Sequence, residues 1–418
     1  MNRPFSPAYG AFPPDATLAE GAGIEGVRDV VTDEALTLMA ALSRAHGHSR
    51  DLLLAARQER RRAIARDGLA PGLLPGTADI RQARWTVAPV PPDLAHRRVE
   101  ITTPADPTRL VAALNSGASV CVADLDGALS PTWATLVGGH RALAAAARRT
   151  PPVPIEDGAT RPPGPGPTTL TVRPRGLQSP EPSLLVDGEA AAACVVDVAL
   201  LAVQVADALD ARGSGLYLSL PEMESHHEAQ WWDAVLADAE RRCALPANSI
   251  RVTVVVEHIL AALEMDEILF FLRDRITGMS AGRWDALFSS VRRLATDDDV
   301  VRTDREALTM QARFRSAYSA RLVATCHRRG AYAIGGLSAV VPDRTAPETT
   351  GTAITEGHEE TRRQAALGYD GAGVAHPDLV ATVREAFDDA LGERPDQREI
   401  IPHVGPLTEL IDARVAGA

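Results

Sequence analysis

The chain contains no lysine: all 43 of its basic residues are arginine. That absence excludes Schiff-base aldolase chemistry, a covalent pyridoxal phosphate site and a P-loop lysine, each of which needs an ε-amino group. Cysteine is scarce. Cys121, Cys194, Cys243 and Cys326 lie far apart without paired zinc spacing and read as reduced, structural thiols. No apolar run reaches the roughly 18 residues of a membrane span, and the amino terminus lacks the basic and apolar regions of a secretory signal. A cytoplasmic protein without membrane contact is the expectation. The formal net charge of -12 argues against nucleic acid or anionic lipid as a partner.

With 418 residues and 45% hydrophobic content, the chain can bury one large core with smaller appendages. Residues 1–32 are rich in Pro, Gly and Ala without clear periodicity and read as a loose arm. Helical spacing through Leu36, Met39, Leu42 and Leu52 to Leu54 predicts a helix from Asp33 to Asp67, stopped by Gly68, within a helical segment spanning 33–95. Its Arg57 to Arg66 stretch, interleaved with Glu59, Ala63, Ile64 and Ala65, reads as a solvated helix face. From about residue 96 to 392, strand-like apolar runs alternate with helical ones: Ser119 to Ala123, Thr169 to Val172, Leu216 to Leu220, Val252 to Val256, Ala331 to Val341 and Gly373 to Ala375. Such alternation predicts a parallel sheet with crossover helices. The segment Pro151 to Pro167, with seven Pro and three Gly, reads as an irregular loop, and residues 393–418 as a tail.

Several of the runs end in a functional group: Asp124 and Asp126, Arg173, Glu224, Glu257 and His376. Groups gathered at the carboxyl ends of parallel strands favour a TIM (β/α)8 barrel. The most informative stretch runs from Arg251 to Asp285. A β-branched strand leads directly into Glu257, and a second carboxylate follows in Gly282-Arg283-Trp284-Asp285. Two acids at strand ends suggest a site for a hard cation. Taken singly, Glu257 reads as a helix cap and Asp285 as a partner of Arg283.

The sequence resembles the malate synthases, especially the shorter non-G type, over roughly residues 34–395. The resemblance rests on Ile80-Arg81, Trp85-Thr86-Val87-Ala88-Pro89, Arg97-Arg98-Val99-Glu100-Ile101-Thr102, Ala113-Leu114-Asn115-Ser116-Gly117-Ala118, Ser130-Pro131-Thr132-Trp133 and Val172-Arg173-Pro174-Arg175-Gly176. It continues through Met223-Glu224-Ser225-His226, Gly282-Arg283-Trp284-Asp285, Thr325-Cys326-His327-Arg328-Arg329-Gly330 and Val374-Ala375-His376-Pro377.

The resemblance implies a barrel that binds Mg²⁺ through Glu257 and Asp285, with glyoxylate completing the coordination shell and Arg173 stabilising oxyanion charge as an acetyl-CoA enolate attacks the aldehyde. Gly282, Arg283 and Trp284 would flank the glyoxylate carboxylate through backbone N–H groups, and Pro377 would line the thioester channel. Apart from the resemblance, Asp124 reads either as a partner of metal-bound water or as an anchor for a neighbouring loop, Asp126 is a candidate beside it, and Glu224 reads as a helix-start residue behind the metal. His226, beside Glu224, reads as part of the start of an amphipathic helix containing Trp231 and Trp232.

The family also carries a large C-terminal helical domain that supplies the Asp removing the acetyl methyl proton. The expectation here is a form without that domain; true malate synthase activity would then need a replacement base, Glu409, Asp412 or a group of another protomer. Other departures surround the site. The family's Glu-Asp-Ala-Asn reads Asp126-Gly127-Ala128-Leu129, its Trp-His reads Leu177-Gln178, its Pro-Lys reads Pro221-Glu222, and an aromatic is replaced by Gly373.

The expected function is a Mg²⁺-dependent, aldolase- or lyase-type enzyme that makes or breaks a C–C bond through an enolate, with glyoxylate or another 2-oxo acid and an acyl thioester of CoA or a carrier protein. True malate synthase activity and a noncatalytic protein binding metal and 2-oxo acid are the alternatives. By analogy with the related citrate lyase β-subunit-like and malyl-CoA lyase enzymes, a homo-oligomer is expected.

Overall fold

Val120–Asp124 is buried along its whole length and Arg251–Val256 along all but its first residue, as parallel strands covered on both faces require. In the computed structural model, which describes residues 16–67, 72–150, 168–282, 285–286, 288–289, 313–338, 342 and 347–411, these two belong to a closed barrel.

In chain order the strands are β1 (Ala16–Leu18), β2 (Val99–Pro104), β3 (Val120–Asp124), β4 (Thr169–Arg173), β5 (Pro180–Val186), β6 (Glu189–Ala192), β7 (Tyr217–Leu220), β8 (Arg251–Val256), β9 (Ile276–Ala281), β10 (Tyr332–Ser338) and β11 (Gly371–Val374). Eight of them close in the order β10-β11-β2-β3-β4-β7-β8-β9, every neighbouring pair parallel. The chain therefore forms a TIM barrel, as its alternating pattern indicates.

The helices are α1 (Asp33–Asp67), α2 (Ala78–Gln82), α3 (Pro107–Leu114), α4 (Trp133–Arg148), α5 (Ala193–Gln204), α6 (Ala206–Asp210), α7 (His226–Arg242), α8 (Ile259–Leu263), α9 (Met265–Phe271), α10 (Arg313–Arg328), α11 (Pro347–Leu367), α12 (Val380–Leu391) and α13 (Leu407–Ile411). Among the described residues no large helical domain follows the barrel, and no helix is long and apolar enough to cross a membrane.

Two expectations about the ends need correction. Within 1–32, residues 1–15 lie outside the described set, but β1 pairs antiparallel with β5, and Val27, Val30 and Val31 are buried. Apolar side chains too sparse to show a period still anchor this segment beneath α1. The segment expected as a C-terminal tail packs against the barrel in its described part, residues 393–411. Gln397 is buried, its N–H donates to Asp370 Oδ1 at 2.6 Å, and its amide donates to the carbonyls of Ala365 and Tyr369. His327 joins the same clamp, 3.2 Å from Asp370 Oδ2 and 2.5 Å from the Ile400 carbonyl. Burial alone would lower the His327 pKa, but Asp370 prevails and holds it above its ordinary value.

The Arg57 to Arg66 stretch is also more than a solvated face. Arg57 is buried and forks onto Glu228 with two 2.7 Å bonds, Arg60 reaches Glu264 at 2.7 Å, and Arg61 reaches Glu224 at 2.5 Å. Only part of the stretch, including Glu59 and Arg62, remains exposed. These arginines dock α1 against α7, the loop that precedes it and the junction of α8 with α9.

Inside the barrel, Arg97 is 1% exposed and bonds Glu100 at 2.6 Å and the Thr277 and Thr253 hydroxyls at 3.0 Å. Arg97→Met leaves Glu100 as an uncompensated buried charge. It should lower unfolding free energy by about 3–5 kcal/mol in urea titrations, and adding Glu100→Leu should recover most of the loss. Equal instability of the single and double variants would contradict this.

Candidate active site

The carboxyl ends of five adjacent strands build one polar arc. β3 ends in Asp124, whose Cα partner across the ladder is Arg173 at the end of β4. Arg173 Nη1 donates to Asp124 Oδ2 at 3.1 Å, while Asp124 Oδ1 accepts the N–H groups of Asp126 and Gly127 at 2.8 and 3.1 Å. Asp126 Oδ1 in turn accepts from the Gly176 N–H at 3.2 Å. Burial and nearby Asp124 push the Asp126 pKa upward despite that bond. Asp124 thus orients Arg173, and Asp126 ties the β3 loop to the loop after β4.

The two arginines of the Arg-Pro-Arg motif have different duties. Arg175 turns away into a buried cluster, bonding Asp197 and Glu181, with His140 3.1 Å from the same Asp197. The Arg173 side chain stays at the rim. Its Nε is buried and has no hydrogen-bond partner among the described residues. A buried guanidinium N–H without an acceptor calls for one.

Next around the rim, β7 leads through Pro221 to Glu222. Glu222 has φ +58°, unusual for a residue with a side chain. The turn is held from both sides: the Glu222 N–H donates to Glu257 Oε2 at 2.8 Å, and its carbonyl accepts from Arg57 Nη2 at 2.7 Å. Glu222 is the residue that sequence reading missed. Its one available signal was the replacement of the family's Lys by an acid.

Glu257 follows β8, and Gly282 follows β9, directly beyond the paired residues Val256 and Ala281. Glu257 does not cap the next helix; His258 does, accepting the Leu260 N–H at 3.2 Å. Desolvation raises the Glu257 pKa to about 7, opposed by Arg173 and the Glu222 N–H and reinforced by the charges of Asp285 and Glu222. That set of influences places Glu257, Arg173, Asp285 and Glu222 within electrostatic reach of one another.

Gly282 is required by packing. A Cβ there would sit 2.5 Å from Glu257 Cγ and 3.0 Å from the Val256 carbonyl oxygen. Its N–H is already committed to that carbonyl at 3.2 Å, which removes Gly282 as an N–H donor to a substrate carboxylate. Asp285 is exposed, and the N–H of the next residue, Ala286, donates to the Gly282 carbonyl at 2.9 Å. Arg283 and Trp284 lie outside the described residues, as does Asp412. Gly282→Ala should displace the Glu257 side chain and weaken divalent-cation binding by about tenfold or more while the barrel still folds. Calorimetric titration with Mg²⁺, with far-UV circular dichroism as the folding control, would check it; unchanged affinity would contradict it.

The remaining expected residues lie apart from this arc or behind it. Glu224 is buried against Arg61 and stands 3.7 Å from His258, so it belongs to the α1 docking network. His226 bonds Glu264 at 2.7 Å in the same network. Pro377 opens a short 3-10 turn after β11, capped by the His376 side chain. Glu409 lies on α13, which packs against α10 outside the barrel wall. Cys121, Cys194 and Cys326 are buried, and burial pushes the Cys121 and Cys194 thiols up to about 12.

A family model described as "Malate synthase, TIM barrel domain" matches residues 169–409. A malate synthase of Streptomyces clavuligerus is 43% identical over 378 residues, covering 89% of this chain and 70% of its own length. The chain belongs to the malate synthase family. Malate synthase A of Escherichia coli is 37% identical over 377 residues, covering 90% of this chain and 70% of that protein. Among solved structures, the citrate lyase beta subunit of Mycobacterium tuberculosis, complexed with oxaloacetate and magnesium, aligns with TM-score 0.44 and 20% identity, covering 71% of this chain and 98% of that one.

Within this barrel, Glu257 directly follows β8 and Asp285 lies four residues beyond the end of β9. Among the described residues no group of three or more His, Cys, Asp or Glu is placed to hold a metal by itself. Two carboxylates with open positions around them suit Mg²⁺, which keeps waters and ligand oxygens in its shell. The packing of Gly282 under Glu257 fits the same purpose.

Proposed function

We propose that this chain catalyses Mg²⁺-dependent formation or cleavage of the C–C bond between a 2-oxo acid such as glyoxylate and the acyl carbon chain of a thioester of CoA or a carrier protein. The observation that carries the reading is the convergence of Glu257, Asp285 and Arg173 at the carboxyl rim, with Arg173 held by Asp124 and still partly exposed.

Glu257 and Asp285 would hold the cation, which when bound supplies Lewis-acid polarisation of the 2-oxo acid. Arg173, fixed by the bond from its Nη1 to Asp124 and still partly exposed at the rim, would turn its remaining outer guanidinium N–H groups to the oxygen on which negative charge develops, whether thioester enolate or aldehyde. Glu222 lowers local tolerance for further anionic charge and keeps Glu257 oriented through its N–H. Asp126 and Gly127, bound to Asp124 or its neighbouring loop, keep Arg173 from swinging away.

Hydrolysis to free malate is the second reading, favoured by the curated names of the relatives at 37–43% identity. The two separate cleanly. The protein is incubated with Mg²⁺, acetyl-CoA and glyoxylate, products are identified by mass spectrometry, and free thiol is followed. Malyl-CoA without thiol release supports the aldol or lyase reaction; malate with stoichiometric thiol supports synthesis. Neither product, with pyruvate and oxaloacetate also tried as the 2-oxo acid, would sink the proposal and leave a binding role.

A further inference from the structure

Arg81, Arg321 and Arg328 converge on a cavity of about 260 Å³ on the outer wall of the barrel, between α8, the start of α9 and α10. Arg321, Thr325 and Arg328 share one face of α10 by their spacing of four and three residues. Leu73, Leu263 and Met265 supply apolar wall. None of the residues of the barrel rim lines this space, and α10 ends at Arg328, just before β10 begins at Tyr332. The cavity therefore belongs to a different part of the barrel from the carboxyl rim.

The charges around it do not cancel. Arg81 pairs with Glu267. Asp266 is shared by Arg328 at 3.3 Å and Arg329 at 2.8 Å. Arg321 has no carboxylate partner among the described residues, and its Nε is buried with nothing to donate to. Partial burial and the neighbouring Arg328 hold its pKa below the ordinary arginine value, against the pull of Asp266. Asp266 also lines the cavity, but it already serves Arg328 and Arg329, so the cluster keeps an excess of positive charge that an added anion would offset.

We propose that this cavity is a binding site for a compact dianion, a phosphate group or a small dicarboxylate, held by Arg321 and Arg328 with its carbon portion against Leu263 and Met265. The guanidinium fork matches the paired oxygens of either group. The chain's net charge of -12 opposes nonspecific anion binding, so retention of a dianion needs a local arrangement of this kind. The site stands independently of the reaction proposed for the rim.

The test is calorimetric titration of the full chain with inorganic phosphate and, separately, with succinate, at constant ionic strength in metal-free buffer. Saturable binding at one site is expected with a dissociation constant of about 1 mM or tighter. Phosphate alone, succinate alone or both assign the source of the dianion. Arg321→Met should weaken binding about tenfold or more, and Arg62→Gln, on the exposed face of α1, should leave it unchanged. In anion-free buffer Arg321→Met should melt at the same temperature as the parent or higher, and the melting-temperature rise that phosphate gives the parent should vanish. Arg328→Gln serves as the second variant if Arg321→Met does not fold. Absence of saturable binding by either probe, or full affinity in the folded Arg321 or Arg328 variant, would overturn the site. Loss of binding in Glu257→Gln would assign the anion to the barrel rim and overturn it equally.

Discussion

Glu257→Gln is expected to abolish turnover, by about 10³-fold or more, while making the metal-free protein more stable at pH 8. The two effects share one cause. In the fold the Glu257 carboxyl is desolvated and faces the negative charges of Asp285 and Glu222, which together carry its pKa from 4.5 to about 7. An acid with a raised folded pKa binds its proton more tightly folded than unfolded. Its contribution to metal-free stability is therefore present at low pH and is lost as pH rises from about 4.5 through about 7. Gln imitates the neutral form and removes that loss. Thermal melts in chelator should show parent and variant nearly equal at pH 5, and the variant higher at pH 8 by about 2 °C or more. Addition of Mg²⁺ at pH 8 should raise the parent's melting temperature and leave the variant's unchanged. A variant that melts lower at pH 8, or still responds fully to Mg²⁺, would contradict the assignment.

Arg173→Gln is expected to lower kcat by about 10²–10³-fold with little change in KM for the 2-oxo acid. The Arg173 side chain is partly exposed at the rim and held there by Asp124, so its outer N–H groups can meet charge that appears during the reaction. The fold should survive, because Asp124 keeps the N–H bonds of Asp126 and Gly127 after its arginine partner is gone. Arg173→Lys should recover only part of the rate, since a flexible ammonium lacks the planar fork that fixes one N–H on Asp124 and points others at the reacting oxygen. A large rise in KM with unchanged kcat would instead make Arg173 a ground-state binding group. Steady-state kinetics with the 2-oxo acid varied at saturating thioester distinguishes the two.

The parts of this architecture that local pattern controls were legible in the sequence. The β-branched run of β8 marks a buried strand, and α1 begins and ends where the spacing and Gly68 place it. Strand β9 was not legible. Its Ile-Thr-Gly-Met-Ser-Ala sequence has weak strand propensity, and Gly278 is there because a Cβ would meet the Tyr332 carbonyl oxygen of β10 at 2.5 Å. That reason exists only once the barrel closes. The docking of α1 was hidden for a similar cause: Arg57, Arg60 and Arg61 find carboxylates more than 160 residues away, and an isolated helix pattern cannot distinguish them from solvated arginines.

At the site, Glu257 and Asp285 could be picked out because they follow strands within long family motifs, and Arg173 because it ends another. Their mutual reach, and the Asp124 bond that holds Arg173 at the rim, needed coordinates. Glu222 is the clearest omission. Its importance comes from a positive-φ turn locked between Arg57 and Glu257, which nothing in the dipeptide Pro221-Glu222 announces.

Glu257 and Asp285 are proposed to form together one divalent-cation site on which the 2-oxo acid is held. The most direct test of that site is titration of Mn²⁺, as a spin-bearing substitute for Mg²⁺, followed by electron paramagnetic resonance with and without glyoxylate, in the parent, Glu257→Gln and Asp285→Asn. The prediction is one bound ion per chain whose spectrum changes when glyoxylate is added, with both variants losing affinity by about tenfold or more. Parent-like affinity in both folded variants, or a bound-ion spectrum indifferent to glyoxylate, would contradict it.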